Sequence, residues 1–411
     1  MGEFLRNNFS EPISLLFYMV FLIIVAIFHF KKSLKNNSIL SCTNLYIIFF
    51  YIFIALAPIG YVLFEKNFKY YYNTIFVFSF SLILFIIGSD FIVKNKNNIE
   101  VIKDNNVLNF KIIYNNALIF LIIGYIFSFI YLSKNLSYIL IDFENNRVSA
   151  MSGNGIIIYL SYMIIPATLV LYYCHLHYKR NPMIFLYVLM NIIILLLFGF
   201  RARVLDLLVL ILIIKNDYKS FRLSKLFNYG ILAIIFVSFL QFVRFYISGS
   251  NSNTFMQSLF NTICVGSINI NFIIRYIPLK IPYQYGYTYA INFLQLLPSY
   301  SVDMTMWIKN TLNLQFDGGG VAPTILGELY INFGFIGLFL GSFILGIICK
   351  SIDNFAKKRD YGIKKIIYFI ISFYLARSVY GGIANFIVLE LWFIFIILLI
   401  CNFKLKRGTI K

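Results

Sequence analysis

Apolar runs of about 20 residues recur along the whole chain, and this repetition limits the possible fold more than any other feature. A helix of about 20 apolar residues spans the hydrocarbon core of a bilayer. Because lipid offers no hydrogen bonds to the backbone, only helices and closed barrels cross it. Only 12% of the 411 residues are charged, about half the fraction of a soluble domain. The sequence therefore predicts an all-α polytopic membrane protein, with residues 1–411 forming a single integral membrane domain.

The lengths of the apolar runs predict about eleven transmembrane helices. They lie near 13–30, 40–64, 70–93, 110–133, 155–178, 183–200, 202–214, 227–247, 322–349, 366–380 and 383–402. The first run is too long for the core of a signal peptide and has no small-residue cleavage site after it, so we expect it to be retained.

The loops between these runs alternate in charge. One set of loops holds 23 of the 35 Lys and Arg residues, and the other set holds 12. The positive-inside rule places the first set in the cytoplasm, with the N-terminus outside and the C-terminus inside. Most of the basic residues lie in short loops, so the net charge of +19 is explained by topology signals beside anionic lipid. We therefore expect membrane lipid, and no nucleic acid, as a partner.

The longest segment between predicted spans is a large external loop at 248–321, which begins with the polar sequence SGSNSN. Loops of this length are usually functional or disordered, and this one is too apolar for disorder. Its first half has apolar side chains at helical spacing: Phe255, Met256, Leu259, Phe260, Ile263 and Cys264. This pattern predicts an amphipathic helix on the outer membrane surface, as part of a folded lid or acceptor platform.

Arginine and lysine are distributed differently between the two predicted faces. The cytoplasmic loops hold 19 Lys and 4 Arg, whereas the outer loops hold 5 Lys and 7 Arg. Guanidinium presents a rigid fork of donors that matches phosphate and carboxylate, whereas lysine is sufficient to set topology. Five outer arginines lie at span ends or in the large loop: Arg201, Arg203, Arg244, Arg275 and Arg377. We predict that they converge on an anionic, membrane-borne group such as the diphosphate of a lipid carrier.

Simpler interpretations of these arginines remain open. Each can extend to lipid headgroups at the membrane edge. Arg203 can also pair with Asp206, which lies three residues later on the same helix face. Gln241 and Arg244 share a helix face with Ser248, which indicates a polar face turned toward a cavity. Gln241 is therefore a candidate substrate-binding residue.

The ninth predicted span begins unusually, with the sequence DGGGVAPTILGELYINFG at 317–334. Gly318, Gly319 and Gly320 allow a ligand to approach the backbone closely. A glycine turn that leads into a helix N-terminus forms an anion site from free N–H groups and the helix dipole. The three glycines are therefore candidate substrate-binding residues.

Three polar residues then repeat every four positions on one helix face: Thr324, Glu328 and Asn332. A carboxylate this deep in a span is costly unless it has a partner. Glu328 is either a buried partner of an arginine on another span or a catalytic residue, for example a base acting on a sugar hydroxyl. Thr324 and Asn332 are candidate substrate-binding residues beside it.

Two motifs resemble those of the Wzy-type oligosaccharide repeat-unit polymerases, which make O-antigen and capsular polysaccharide: FGFRAR at 198–203 and GGGVAPTILGELYINFGFIG at 318–337. The layout of spans with a large outer loop in the second half is also similar. The resemblance implies a GT-C-like glycosyltransferase of the bacterial cytoplasmic (inner) membrane, with its active site facing outside. It also implies that Arg201, Arg203, Arg244 and Arg275 hold diphosphate groups.

The substrates that the resemblance implies are oligosaccharide units linked to undecaprenyl diphosphate. The growing chain would be transferred to a hydroxyl of an incoming unit, without metal or cofactor, and a chain-length regulator is a further partner that the resemblance allows. The related ligases use a histidine in the outer loop, and this sequence has none there. The base remains open among Asp303, Asp317 and Glu328.

Aromatic residues of the outer loop suit either stacking on sugars or an interfacial aromatic belt. They are Tyr283, Tyr285, Tyr287, Tyr289 and Trp307. The main alternative function is a flippase or transporter of lipid-linked oligosaccharide, which would show two related halves with matching broken helices. A non-catalytic scaffold is a second alternative, but it has no need of outer arginines at helix ends.

Overall fold

The computed structural model describes residues 8–9, 12–35, 40–59, 70–92, 102–103, 110–141, 150, 154–221, 223–247, 255–294, 304–314, 320–360 and 362–403. The helices in these residues are α1 (Pro12–Lys35), α2 (Cys42–Phe50, continued by a π-helical turn at Tyr51–Ala55), α3 (Tyr72–Phe91), α4 (Phe110–Ile141), α5 (Gly155–Ser161), α6 (Ile164–His177), α7 (Met183–Leu197), α8 (Arg201–Tyr218), α9 (Leu223–Ile247), α10 (Phe255–Tyr276), α11 (Tyr287–Leu294), α12 (Met304–Thr311), α13 (Thr324–Lys358), α14 (Lys365–Gly381) and α15 (Ala384–Asn402). Two-residue strands pair β1 (Asn8–Phe9) with β2 (Tyr70–Tyr71), and β3 (Ile102–Lys103) with β4 (Arg359–Asp360).

Each predicted span overlaps one of these helices or, for 155–178, the pair α5 and α6. Within the described residues, five helical segments are long and apolar enough to cross a membrane: Cys42–Ile59, Asn73–Phe91, Phe110–Ile139, Gly155–His177 and Thr324–Ala356. The helical fold is confirmed, and its apolar helices are those expected of a membrane protein. The number of spans and their orientation stay predictions, and "outer" and "inner" below name the predicted sides.

The buried apolar side chains form two clusters. One lies among α4–α8, α14 and α15, and the other lies among α1–α3 and α10–α13. Helix α14 contributes to both, with Phe373 in the first cluster and Val379 in the second. The outer end of α14 is therefore located where the two halves of the apolar core meet.

Helices α3 and α13 pack with their backbones in contact because glycines lie between them. A Cβ added at Gly88 would lie 2.1 Å from the carbonyl oxygen of Phe343, and one at Gly346 would lie 2.1 Å from that of Phe85. Small residues allow such an approach between membrane helices. Helix α13 also packs against α2, α10 and α14, so it connects most parts of the second cluster.

The inner end of α13 caps a neighbouring helix. The buried carboxylate of Asp353 accepts hydrogen bonds from the backbone N–H of Cys42 at 2.7 Å and of Thr43 at 3.2 Å. The hydroxyl groups of Thr43 and Tyr368 also donate to it, at 2.6 and 3.0 Å. These N–H groups begin α2 and have no intrahelical acceptor, so Asp353 satisfies them and complements the helix dipole.

The helix predicted at the start of the outer loop is confirmed as α10, but its buried face packs on other helices. Thr74 of α3 donates to the side chain of Asn271 at 2.8 Å, and Ile270 and Ile273 are fully buried. Asn269 donates to the carbonyl of Ala322, just before α13, at 2.8 Å. Helix α10 thus packs on α2, α3 and α13, and the predicted position of its apolar face on the outer membrane surface stays a prediction.

Helix α13 is broken at Gly334, where φ is 65° and ψ is −153°. The break frees the carbonyls of Ile331 and Asn332, which accept hydrogen bonds from the N–H groups of Gln284 and Tyr285 at 3.0 and 3.1 Å. A turn of the outer loop therefore satisfies the backbone that the break exposes. The outer segment of α13, residues 324–333, becomes a short helix held by this loop.

Candidate functional site

Helices α8 and α14 each present a pair of polar side chains near their outer ends. Gly199 adopts φ 78°, which permits the tight turn between α7 and α8. Arg203 and Asp206 are three residues apart at the start of α8, and Tyr374 and Arg377 are three apart near the end of α14. This spacing places each pair on one helix face. The two helices pack together, and the four side chains meet.

Three donors converge on one oxygen of Asp206. Nη1 of Arg203 lies 3.0 Å from Oδ2, and the hydroxyl of Tyr374 donates to it at 3.2 Å. Nη1 of Arg377 donates to the same oxygen. The side chain of Asp206 is fully buried, whereas those of Arg377 and Arg203 are 8% and 16% exposed. We call these four side chains the arginine cluster.

The arginine cluster combines two guanidinium groups with a single carboxylate. Each guanidinium presents its N–H donors in a planar fork, and that of Arg203 also lies over the ring of Tyr162, with its carbon 5.7 Å from the ring centre. The second oxygen of Asp206, Oδ1, is buried and has no hydrogen-bond partner among the described atoms. Because Asp206 holds arginines from two different helices at one point, their positions are set before any ligand arrives. Such a pair suits bidentate binding of a phosphate or carboxylate.

For two of the other predicted arginines, the structure describes the backbone position but not the side chain. Arg201 is the first residue of α8, and Gln241 and Arg244 lie in the last part of α9, which packs beside α8. The side chains of these three residues lie outside the described part of the structure, so their convergence stays a prediction. Arg275 is exposed in the last turn of α10, with its guanidinium carbon 5.6 Å from the centre of the Tyr276 ring.

Glu328 binds backbone N–H groups at the start of α15. Its side chain is fully buried, Oε2 accepts from the N–H of Ile383 at 2.7 Å, and Oε1 accepts from the N–H of Ala384 at 3.0 Å. One of the two interpretations of Glu328 gave it an arginine as its buried partner, whereas its hydrogen-bond partners in the described structure are these two amides. Helix α15 has no capping side chain of its own, and Glu328 fills that role from another helix.

Asn332 connects the outer segment of α13 to the outer loop. Its Nδ2 donates to the hydroxyl of Thr288 at 2.6 Å and to the carbonyl of Glu328 at 2.8 Å, and its Oδ1 accepts from the N–H of Gly286 at 2.8 Å. All three bonds lie within the protein. Asn332 therefore acts in the structure as a buried bridge, and its predicted contact with substrate stays a prediction.

The start of α13 is tightly packed. A Cβ at Gly320 would lie 2.3 Å from the carbonyl carbon of Thr305, so the close approach that this glycine permits is to α12. Thr324 is fully buried with φ 62°, and its hydroxyl accepts from the N–H of Gly327 at 3.2 Å. Gly318, Gly319, Asp303 and Asp317 lie outside the described residues. The anion site predicted at the glycines and the role of Thr324 therefore stay predictions.

The outer-loop aromatic residues divide into two groups. Tyr283 packs at the α13 break, where a Cβ on Gly334 would lie 2.9 Å from its ring. Tyr285 is 78% exposed at a positive φ of 47°, and Tyr287 lies edge to face with Trp307 at 6.4 Å between ring centres. The second group is the one accessible to a sugar, and its role in binding stays a prediction.

A family model described as O-antigen polysaccharide polymerase Wzy matches residues 4–407, nearly the whole chain. The chain belongs to this family. The search of curated proteins and the search of solved structures each returned no match. Membership in the Wzy family confirms the resemblance seen in the two motifs. It makes the chain an O-antigen repeat-unit polymerase of the glycosyltransferase type that acts on lipid-linked oligosaccharide repeat units.

Two residues of this candidate site were not found from the sequence. Tyr374 lies one helical turn before Arg377, a spacing that could have identified it. Gly382 adopts φ 85° directly after α14. The pair of glycines at 381–382 is a helix-end signal, which could have identified the turn between α14 and α15 from the sequence. In the described residues, no group of three or more His, Cys, Asp or Glu side chains is arranged to hold a metal ion.

Proposed function

We propose that this Wzy-family chain polymerises oligosaccharide repeat units at the outer face of the bacterial cytoplasmic membrane. The growing chain on undecaprenyl diphosphate is the donor, and one repeat unit on a second undecaprenyl diphosphate is the acceptor. The observation that carries the proposal is the arginine cluster, in which Arg203 and Arg377 meet on Asp206. It lies at the helix ends that the charge distribution predicts to be outside.

In the reaction, a hydroxyl oxygen of the acceptor unit attacks the anomeric carbon that carries the donor diphosphate. The new carbon–oxygen bond forms as the bond to the diphosphate breaks, and undecaprenyl diphosphate leaves with the electron pair. The hydroxyl proton passes to solvent water as the new bond forms. Arg203 and Arg377 stabilise the negative charge that develops on the leaving diphosphate. Because diphosphate is a good leaving group, we propose a reaction that requires no metal.

The test uses purified protein in liposomes with undecaprenyl-diphosphate-linked repeat units, and it measures polymer length on a gel. Arg203→Ala and Arg377→Ala are expected to lower the rate at least about a hundredfold, because each removes a charge-assisted contact to the leaving group. Arg180→Ala, an exposed arginine in a predicted inner loop, is the matched control and should remain active. Wild-type activity in both cluster variants would exclude a diphosphate role for the cluster.

A flippase remains the alternative with one supporting observation, since transporters use discontinuous helices like the one broken at Gly334. Deletion of the gene distinguishes the two functions. Loss of a polymerase leaves a single repeat unit attached to the exported acceptor, whereas loss of a flippase leaves no exported unit. The proposal requires the first result.

A further inference from the structure

The turn between α14 and α15, residues 381–384, is held against α13 by one side chain. Both carboxylate oxygens of Glu328 accept hydrogen bonds from this turn, at 2.7 Å from Ile383 N–H and 3.0 Å from Ala384 N–H. These amides are the first of α15 and have no intrahelical acceptor, and the carboxylate also complements the positive end of the helix dipole. Charge-assisted bonds of this kind are about twice as strong as neutral ones.

Gly382 shows how closely the turn and the carboxylate fit. Its φ of 85° is a conformation that other residues rarely adopt, and a Cβ there would lie 2.3 Å from Oε1 of Glu328. Only glycine therefore allows the turn to close over the carboxylate. Its N–H donates to the carbonyl of Ser378 at 2.8 Å, which attaches the turn directly to the last turn of α14.

Arg377 is the residue before Ser378, so it lies in the segment that the turn holds. Helix α14 is restrained on one side by Asp206 of α8, which binds Arg377 and Tyr374. It is restrained on another side by Glu328 of α13, through the turn. If the second restraint is lost, the end of α14 can rotate or fray, and the guanidinium of Arg377 moves with it. A displacement of about 1 Å at a reacting group can cost a hundredfold in rate.

We propose that Glu328 is a positioning residue of the diphosphate site, and that it acts by holding the α14–α15 turn and thereby Arg377. This inference rests on the proposed function, since it assigns Glu328 to the same arginine cluster. It differs from a role as general base in a measurable way. A base acts through its own proton-accepting oxygen, whereas a positioning residue acts through the turn, so a substitution that displaces the turn has the same effect as loss of Glu328.

The experiment measures kcat and the KM for the lipid-linked repeat unit, together with inhibition by undecaprenyl diphosphate alone. Glu328→Ala is expected to raise both the KM and the inhibition constant about tenfold or more, since it removes two charge-assisted bonds. Glu328→Gln retains one acceptor oxygen and should fall between the wild type and Glu328→Ala. Gly382→Ala should raise the KM and the inhibition constant as much as Glu328→Ala does. The double variant should raise them no further than either single variant, because all three break the same contact.

Asp353→Ala is the matched control. Asp353 is also a buried carboxylate of α13 that caps a helix, but it lies at the opposite end. Its loss should lower thermal stability while leaving the KM unchanged, which separates a general loss of stability from an effect on the site. If Glu328→Ala does not accumulate in the membrane, Glu328→Gln and Gly382→Ala supply the same measurement.

Two results would overturn the inference. The first is an equal loss of kcat in Glu328→Gln and Glu328→Ala while Gly382→Ala keeps the wild-type kcat and KM, which is the behaviour of a base. The second is an unchanged inhibition constant in Gly382→Ala. The proposed function fails separately, if Arg203→Ala and Arg377→Ala both keep wild-type activity.

Discussion

Asp206→Ala provides a direct test of the buried geometry of the arginine cluster. Asp206 accepts three hydrogen bonds at one oxygen, two of them from guanidinium groups. Bonds to charged groups contribute about 1.5–3 kcal/mol each, and removing one partner of a buried ion pair costs about 3–5 kcal/mol. Arg203, at 16% exposure, can partly recover by reaching water, whereas Arg377, at 8%, cannot. We expect the free energy of unfolding to fall by about 3–5 kcal/mol.

The assay is thermal unfolding of the purified protein in detergent, followed by intrinsic fluorescence. For a chain of this length the expected loss corresponds to a fall in Tm of roughly 4–6 °C. Arg377→Met in the Asp206→Ala background removes the charge left without its carboxylate, so the double variant should recover at least half of the lost stability. The reasoning is refuted if Asp206→Ala costs less than about 1 kcal/mol, or if the two substitutions destabilise additively.

Three further predictions concern backbone conformation and metal. Gly334→Ala should abolish polymer formation in a gel assay, because the position has φ 65° and the added Cβ would lie 2.9 Å from the Tyr283 ring. Gly230→Ala is the control and should be active, because a Cβ there would meet no atom within 4 Å. Tyr285→Gly should raise Tm slightly, since it relieves about 1 kcal/mol of strain at φ 47°, and an unchanged or lower Tm would show that the turn is not strained. Polymerisation by the purified protein should continue in excess EDTA at no less than half its rate, and its complete loss would contradict the metal-independent reaction.

Much of the fold follows from the sequence because apolar length determines where membrane helices lie. The predicted run at 70–93 is helix α3 (Tyr72–Phe91), with a difference of two residues at each end. The run at 322–349 continues to Lys358 in the structure, because Asp353 is satisfied by the amides of α2 and so does not end the helix. The break at Gly334 was not predicted, since the loop turn that satisfies it lies about 50 residues earlier.

The site was only partly predictable for a related reason. The pairing of Arg203 with Asp206 follows from spacing within one helix, and it was one of the interpretations left open. Arg377 meets the same carboxylate from 171 residues away, a contact that only the packing of α8 on α14 creates. The partners of Glu328 are backbone amides, which every residue except proline carries. No pattern of side chains marks them, so the sequence indicated the importance of Glu328 without its contact.

The carboxylate of Asp353 has a consequence for how the chain is made. It caps Cys42 and Thr43, yet it follows Cys42 by 311 positions. During translation, the first amides of α2 therefore lack this hydrogen-bond acceptor until Asp353 has been synthesised, much later. Until then they need water, because an unsatisfied amide in hydrocarbon costs several kcal/mol. The N-terminal end of helix α2 therefore has to lie at the aqueous boundary at first. It reaches its final packed position late in assembly, after α13 has been inserted.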